Sequence, residues 1–278
     1  MKKTASYNKD MKRFFIILTL IFTLTLVGCY AKVDTDTSTS IVIPSPAPVP
    51  TPTPDNDDVQ SGFDDIEERK KQYAVSTTNG LRIRSGASTS HQVVGYLDKN
   101  DAVLIIKEKD GFYETVYKEK VAFVSKQYCT VMEIDVASDK EENALDLGCT
   151  LLGYPYVWGS QRYHWGNGKL NANFINGEFD CSALVQYIFY KANGTILDVT
   201  TRTQVHNGTE VSRENLSRGD LMFFTNQSRQ NKTGTERIGH VGIYFGNNYI
   251  LHTASDHAVI EPISQLRWSY YITARRVV

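Results

Sequence analysis

The stretch Phe179-Asp180-Cys181-Ser182-Ala183-Leu184-Val185-Gln186-Tyr187-Ile188-Phe189-Tyr190 decides how the rest of this chain is read. Its apolar residues Leu184, Ile188 and Phe189 recur at helical spacing, which puts a lone cysteine, Cys181, on the first turn of a helix. Asn193-Gly194 supplies residues that tolerate a left-handed position just past a helix end. Unpaired N–H groups and the positive dipole end at a helix start favour a thiolate and lower its pKa, and the thiolate is the attacking form. Taken alone, a free cysteine is more often a small core residue. The surrounding motifs have to decide between the two.

At 278 residues the chain has room for one large domain or two modest ones, and its net charge of -1 gives no electrostatic case for nucleic acid as a partner. Lys2, Lys3, Lys9, Lys12 and Arg13 precede an uncharged run over residues 14–28, the order of basic and apolar segments in a bacterial export signal. That run is too short for an ordinary membrane-spanning helix. It ends in Leu26-Val27-Gly28-Cys29, which resembles a lipoprotein signal box with Cys29 as the lipidated amino terminus of the mature protein. A plain secreted protein cut nearby, or an uncleaved anchor, are the alternatives. Residues 1–29 are therefore read as signal and lipobox, which implies a protein held outside the cytoplasm on the cell membrane by a lipid anchor.

Six of the eight prolines fall between Pro44 and Pro54 among Thr, Ser and Asp. Such a segment buries too little apolar area to order itself, so residues 30–62 are read as a semi-rigid spacer that extends about 3 Å per residue. A proline-rich ligand for a partner is the alternative. In an exported protein Cys129, Cys149 and Cys181 are odd in number, so one at least stays free unless it pairs between chains; Cys129 and Cys149 are either buried thiols or one disulfide.

Residues 63–137 break into short apolar runs separated by Asn79-Gly80, Lys99-Asn100-Asp101 and Asp110-Gly111, the spacing of a small all-β barrel. The segments Leu81-Arg82-Ile83-Arg84-Ser85-Gly86, Phe112-Tyr113 and Ala122-Phe123-Val124-Ser125 resemble the bacterial SH3-like domain of cell-wall enzymes. That resemblance implies a module that binds wall peptide or helps to build a neighbouring active site, with a passive spacer as the alternative.

In residues 138–278 an apolar helical pattern over 138–152 leads to Tyr154-Pro155-Tyr156-Val157-Trp158-Gly159, where Pro155 argues for a loop. Tyr156 carries a phenol able to donate to a developing oxyanion. Farther on, Gly239-His240-Val241-Gly242-Ile243-Tyr244-Phe245 and Tyr249-Ile250-Leu251-His252-Thr253 flank Gly246-Asn247-Asn248, a hairpin signal. A three-residue loop sets Phe245 opposite Tyr249 and Gly242 opposite His252, with His240 diagonal to His252 on one face at about 7 Å. A base and the residue that orients it have that arrangement. A metal site using His240, His252 and Cys181 with His164, His206 or His257 lacks any close pair of ligands, so neither a metal nor another cofactor is expected.

Taken in order, Tyr156-Val157-Trp158-Gly159, Phe179-Asp180-Cys181-Ser182, Gly219-Asp220-Leu221, Gly239-His240-Val241-Gly242-Ile243-Tyr244 and Leu251-His252 resemble the NlpC/P60 family of papain-like cell-wall cysteine peptidases. The resemblance implies an α+β fold, a papain-like catalytic domain behind the SH3-like barrel. It also implies a Cys-His-His triad with Cys181 as nucleophile, His240 as general base and His252 as its orienter. Tyr156 would assist at the oxyanion, and Asp180 and Ser182 would hold the substrate's free amino end. The implied activity is an extracytoplasmic endopeptidase acting on peptidoglycan stem peptides at the γ-D-glutamyl-diamino acid bond. An amidase or acyl transferase on wall substrates, or a non-catalytic wall-binding lipoprotein, are the alternatives. Two departures stand out: Ala183 where glycine is common, and a polar stretch, residues 160–178, longer than the usual connection and able to form a lid or reshape a subsite.

Overall fold

A computed structural model describes residues 69–253 and 256–278. The signal segment, Cys29 and the spacer expected over residues 1–62 lie outside the described residues.

The short apolar runs of the first region form eight strands. β1 (Lys70–Ser76), β4 (Ala102–Leu104) and β8 (Cys129–Asp135) make one sheet in the order β4-β1-β8. β2 (Leu81–Arg84), β3 (Val93–Leu97), β5 (Lys107–Lys109), β6 (Phe112–Tyr117) and β7 (Lys120–Ser125) make a second in the order β3-β2-β7-β6-β5. Leu81 and Ile83 face inward while Arg82 is exposed and Arg84 half-buried, the alternation expected of a strand with one buried face.

Helix α1 (Asp139–Thr150) begins after Ser138, and Ala144, Leu145 and Cys149 form its buried face. Helix α2 (Cys181–Asn193) is capped at its start by the Asp180 carboxylate, which accepts from the Ala183 N–H at 2.9 Å, and ends at Gly194 with φ of 69°. Then follow α3 (Thr201–Gln204), β9 (Thr209–Val211), β10 (Leu221–Phe224), β11 (His240–Gly246), β12 (Tyr249–Thr253), β13 (Ala258–Pro262), α4 (Gln265–Ser269) and β14 (Tyr271–Arg276). The strands form one antiparallel sheet in the order β13-β12-β11-β10-β14-β9, and α2 lies across β11 and β12. Ala183, Leu184, Ile188 and Phe189 are fully buried there. This arrangement sets the start of α2, and so Cys181, against the sheet.

The hairpin register follows expectation along the strands and departs at the tip. Ile243 pairs with Leu251 and Tyr244 with Ile250, but a bulge then sets Gly246 rather than Phe245 opposite Tyr249. Asn247 and Asn248 both take positive φ, 49° and 63°, so they alone form the tight turn that matches strand twist. The irregularity is absorbed at the tip, and the two histidines keep their diagonal relation.

The strand region and the region after α1 share one continuous apolar cluster. The turn between β6 and β7 reaches the end of α1, where the N–H of Lys118 donates to Leu152 O at 3.0 Å and that of Glu119 to Thr150 O at 2.8 Å. The Tyr117 ring lies so close to Gly153 that a Cβ there would meet it at 2.0 Å, and Gly153 also holds φ at +84°, so glycine is required twice over. Arg218, buried beneath the sheet, donates to Glu142 of α1 at 2.5 Å, to Tyr73 Oη of β1 at 2.6 Å and to the Phe245 carbonyl. Burial alone would raise the Glu142 carboxyl, but the bonds from Arg218 and Lys71 hold it down to about 2.

Cys129, Cys149 and Cys181 are all free thiols, so the disulfide alternative for Cys129 and Cys149 does not hold. The stretch over residues 160–178 is less polar in its packing than in its composition. Tyr163 and Phe174 meet edge-on at 5.0 Å, and Phe174 stacks on Tyr187 of α2 at 5.4 Å. These aromatic contacts anchor the insertion on α2.

Candidate active site

Cys181 owes its place to the cap of α2, and its surroundings to three separate segments. Tyr156 runs beside Phe179, the two forming a parallel bridge, while the Val157 N–H donates to Phe179 O at 3.0 Å. The phenol of Tyr156 therefore sits near both Cys181 and Asp180, and burial followed by the proximity of Cys181 raises its pKa. The backbone N–H groups of Val241 and Ser182 both point at the Cys181 sulfur. Val241 directly follows His240, so the amide that meets the sulfur comes from the strand that carries the imidazole.

The amides of the helix start act on the thiol in the expected direction, but they do not prevail. Burial, followed by the charge of Asp180, pushes the Cys181 thiol up to about 11. Burial, followed by His252, holds His240 well below the usual imidazole range. Both directions favour an uncharged thiol and an uncharged imidazole at neutral pH, which differs from the pre-formed thiolate expected from the helix dipole. Desolvation of a charge outweighs a dipole end. Cys181 is buried, with 9% of its surface open, and the Val241 and Ser182 amides meet its sulfur.

His240 Nε2 lies 2.8 Å from His252 Nδ1, and His252 Nε2 lies 2.9 Å from Glu261 Oε1. These contacts settle which nitrogen carries which proton. Glu261 is held in its ionised form: burial would raise it, yet the bonds from His252 and Arg267 keep it low. A carboxylate only accepts, so His252 Nε2 donates; burial holds His252 below the usual imidazole range, so its neutral ring accepts at Nδ1 from His240 Nε2. The free lone pair of His240 is left on Nδ1. Arg267 Nη2 meets the same Glu261 oxygen at 3.1 Å and completes the chain His240, His252, Glu261, Arg267.

On the other side of the site Arg162 Nη2 donates to Asp180 Oδ2 at 2.9 Å and to Ser182 Oγ at 3.0 Å. Sequence reasoning brought forward Cys181, His240, His252, Tyr156, Asp180 and Ser182, and passed over Glu261, Arg267 and Arg162. For Glu261 a signal existed: it is the one charge in the strand Ala258-Val259-Ile260-Glu261-Pro262, beside the histidine hairpin. His164 is buried within the insertion against Tyr190, and His257 meets Asp256 at 2.8 Å, so neither joins this group. Among the described residues no cluster of three His, Cys, Asp or Glu side chains is arranged to hold a metal ion. A cleft of about 510 Å³ opens beside His240, lined among others by Tyr156, Asn226, Gly239, Leu266 and Arg267.

The start of α2 packs against β11, with the Val241 amide directed at the Cys181 sulfur and His240, one residue earlier on that strand, bonded to His252. The NlpC/P60 family profile matches residues 153–277, and that of the bacterial SH3 domain matches residues 79–130. The murein DD-endopeptidase MepS/murein LD-carboxypeptidase of Escherichia coli strain K12 is 33% identical over 152 residues, 52% of this chain and 72% of that protein. The chain belongs to the NlpC/P60 family, with the SH3 domain amino-terminal to the family domain. The peptidoglycan DL-endopeptidase CwlO of Bacillus licheniformis is 32% identical over 158 residues, 55% of this chain and 32% of that protein. The gamma-D-glutamyl-L-lysine dipeptidyl-peptidase of Bacillus cereus is 28% identical over 196 residues, 70% of this chain and 47% of that protein. The chain thus spans less than half the length of these last two relatives.

Proposed function

We propose that the protein is a peptidoglycan hydrolase, a cysteine endopeptidase that cuts stem peptides at the bond joining γ-D-glutamate to the diamino acid. The observation that carries this reading is the 2.8 Å contact between His240 and His252 beside the Cys181 helix, because it leaves His240 Nδ1 free to take a proton. The relatives named above act on different wall bonds by name, so they support the substrate class more than the bond. The γ-D-glutamyl assignment rests on the Bacillus cereus relative and on the order of motifs.

His240 Nδ1 takes the proton of Cys181, and the thiolate so formed attacks the scissile carbonyl. Tyr156 and the backbone N–H at the start of α2 receive the oxyanion. The imidazolium of His240 gives its proton to the leaving amine, and a water activated by the same ring releases the acyl group from sulfur. His252 holds the ring, and Glu261 holds His252. The test is muropeptide digestion read by mass spectrometry. Cys181→Ala is expected to abolish cleavage, with at least about a thousandfold loss. Retained turnover in that variant would refute the mechanism.

We further propose export and lipid attachment through Cys29. Metabolic labelling with a fatty acid is expected to mark the protein and to be lost in Cys29→Ser; labelling that persists in the variant rules the anchor out.

A further inference from the structure

The acidic and hydroxyl groups that flank the nucleophile suit an ammonium, yet this chain already supplies a cation for them. The Asp180 Oδ1 atom accepts from the Ala183 N–H at 2.9 Å and from Ser182 Oγ at 3.0 Å, while Oδ2 accepts from Arg162. Ser182 Oγ therefore donates to Asp180 and accepts from Arg162, and is satisfied in both roles. Arg162 is itself fixed from behind: Nη1 donates to Ser160 O at 2.6 Å and Nε to the Val199 carbonyl. The Ser160 hydroxyl accepts from the Asp180 N–H at 2.8 Å, so the guanidinium and the carboxylate share one support. The side chains of Arg162 and Asp180 are only 15% and 9% exposed, and Ser182 is buried. All three guanidinium nitrogens are engaged, in four hydrogen bonds to fixed backbone or to the pair itself, which is the geometry of a strut rather than a ligand-seeking side chain.

An ammonium brought to this pair would find the carboxylate neutralised and a like charge beside it. We infer that Arg162 closes the Asp180–Ser182 pair to a substrate amine, so that the enzyme accepts stem peptides whose amino end is acylated, as it is while the stem is still joined to a glycan strand. The inference rests on the peptidase reading above and narrows it: a cleft without a demand for a free amino end fits an endopeptidase working on the intact wall. Arg162 is then a specificity-determining residue that acts through Asp180, and it comes from the insertion over residues 160–178, which packs on α2 through Tyr163 and Phe174.

The test compares two synthetic peptides, L-alanyl-γ-D-glutamyl-diamino acid with a free and with an N-acetylated amino end, digested by the wild-type protein and followed by liquid chromatography and mass spectrometry. The expected result is that acetylation changes kcat/KM by no more than about threefold, because no charge contact is lost. In Arg162→Gln, where Asp180 regains an uncompensated charge, the free-amine peptide is expected to be preferred by about tenfold or more, whereas Arg162→Lys keeps the wild-type tolerance. The wild-type comparison stands even if a variant folds poorly. A wild-type preference of about a hundredfold for the free amine would overturn the inference. It would direct attention to Glu119, an exposed carboxylate that Tyr154 Oη and Asn176 approach at 2.7 Å and 3.3 Å. Hydrolysis of neither peptide, by protein whose Cys181 still alkylates, would instead bring down the peptidase reading itself.

Discussion

On the thiol side of the site Asp180 meets Arg162 at 2.9 Å, and on the imidazole side Glu261 meets Arg267 at 3.1 Å. Both are carboxylate–guanidinium pairs one step removed from a group that the proposed mechanism uses, and their roles differ because of what each carboxylate touches. Asp180 accepts from the backbone of α2 and holds the helix start in place. Glu261 accepts from a ring that itself carries a transferable proton. The first pair fixes geometry; the second fixes protonation. A pair of the second kind bears on rate and on its pH dependence, while one of the first kind bears on local stability and on what else the pocket admits.

The larger expected effect tests the imidazole side. In Glu261→Gln the acceptor that forced His252 into one tautomer becomes an amide able to donate as well as accept, so His240 Nδ1 is no longer reserved as the base. A fall in kcat/KM of about ten- to a hundredfold is expected, carried by kcat with KM little changed, because the residue acts through His252 and touches no substrate. The pH profile distinguishes this from a merely structural loss. With His240 depressed by burial, the ring stays deprotonated as pH falls through 6.5, so the wild-type acid limb lies below that value. A carboxylate favours the imidazolium, and removing it moves the limb lower still. A wild-type limb above 6.5, or a limb that rises in the variant, would break the proposed relay.

The contrast between the two sides also explains what could be read before any coordinates. The helix and left-handed stop of α2 are local in sequence, so Cys181 and Gly194 could be read from spacing, whereas Asp180 was singled out only by the resemblance of its motif and its capping role showed in the fold. The hairpin gave its register through strand alternation, and even its misjudged tip left the histidines in their places, since a bulge at Phe245 lies beyond both. Arg162 and Glu261 are of another kind. Each reaches its partner through packing: Arg162 arrives from an insertion whose aromatic side chains, hidden in a polar composition, fold it back onto α2. Glu261 arrives because β13 pairs with β12, setting His252 opposite Val259 and leaving the carboxylate two residues along on the same face. The depressed acidity of the thiol was missed for a related reason: a helix start is visible in sequence, whereas the burial that outweighs it is a property of the whole sheet.

The smaller expected effect tests the thiol side, and its sign is opposite to what loss of a site residue usually brings. Asparagine caps a helix about as well as aspartate, so Asp180→Asn keeps the bond to the Ala183 N–H and the start of α2. What the variant loses is a negative charge beside Cys181 and the partner of a nearly buried guanidinium. The charge of Asp180 is one of the causes that raise the thiol, and Arg162, left uncompensated, works in the other direction. The thiol pKa is therefore expected to drop from about 11, and alkylation of Cys181 by iodoacetamide at pH 8 to quicken by about three- to tenfold. The melting temperature should fall by about 4 to 8 °C, the mark of a buried charge without its mate. Activity should suffer less than in Glu261→Gln, since the proton path through His240 and His252 is untouched. Slower alkylation with unchanged melting would mean that Asp180 steadies the thiolate directly, and the division of labour between the two pairs would have to be abandoned.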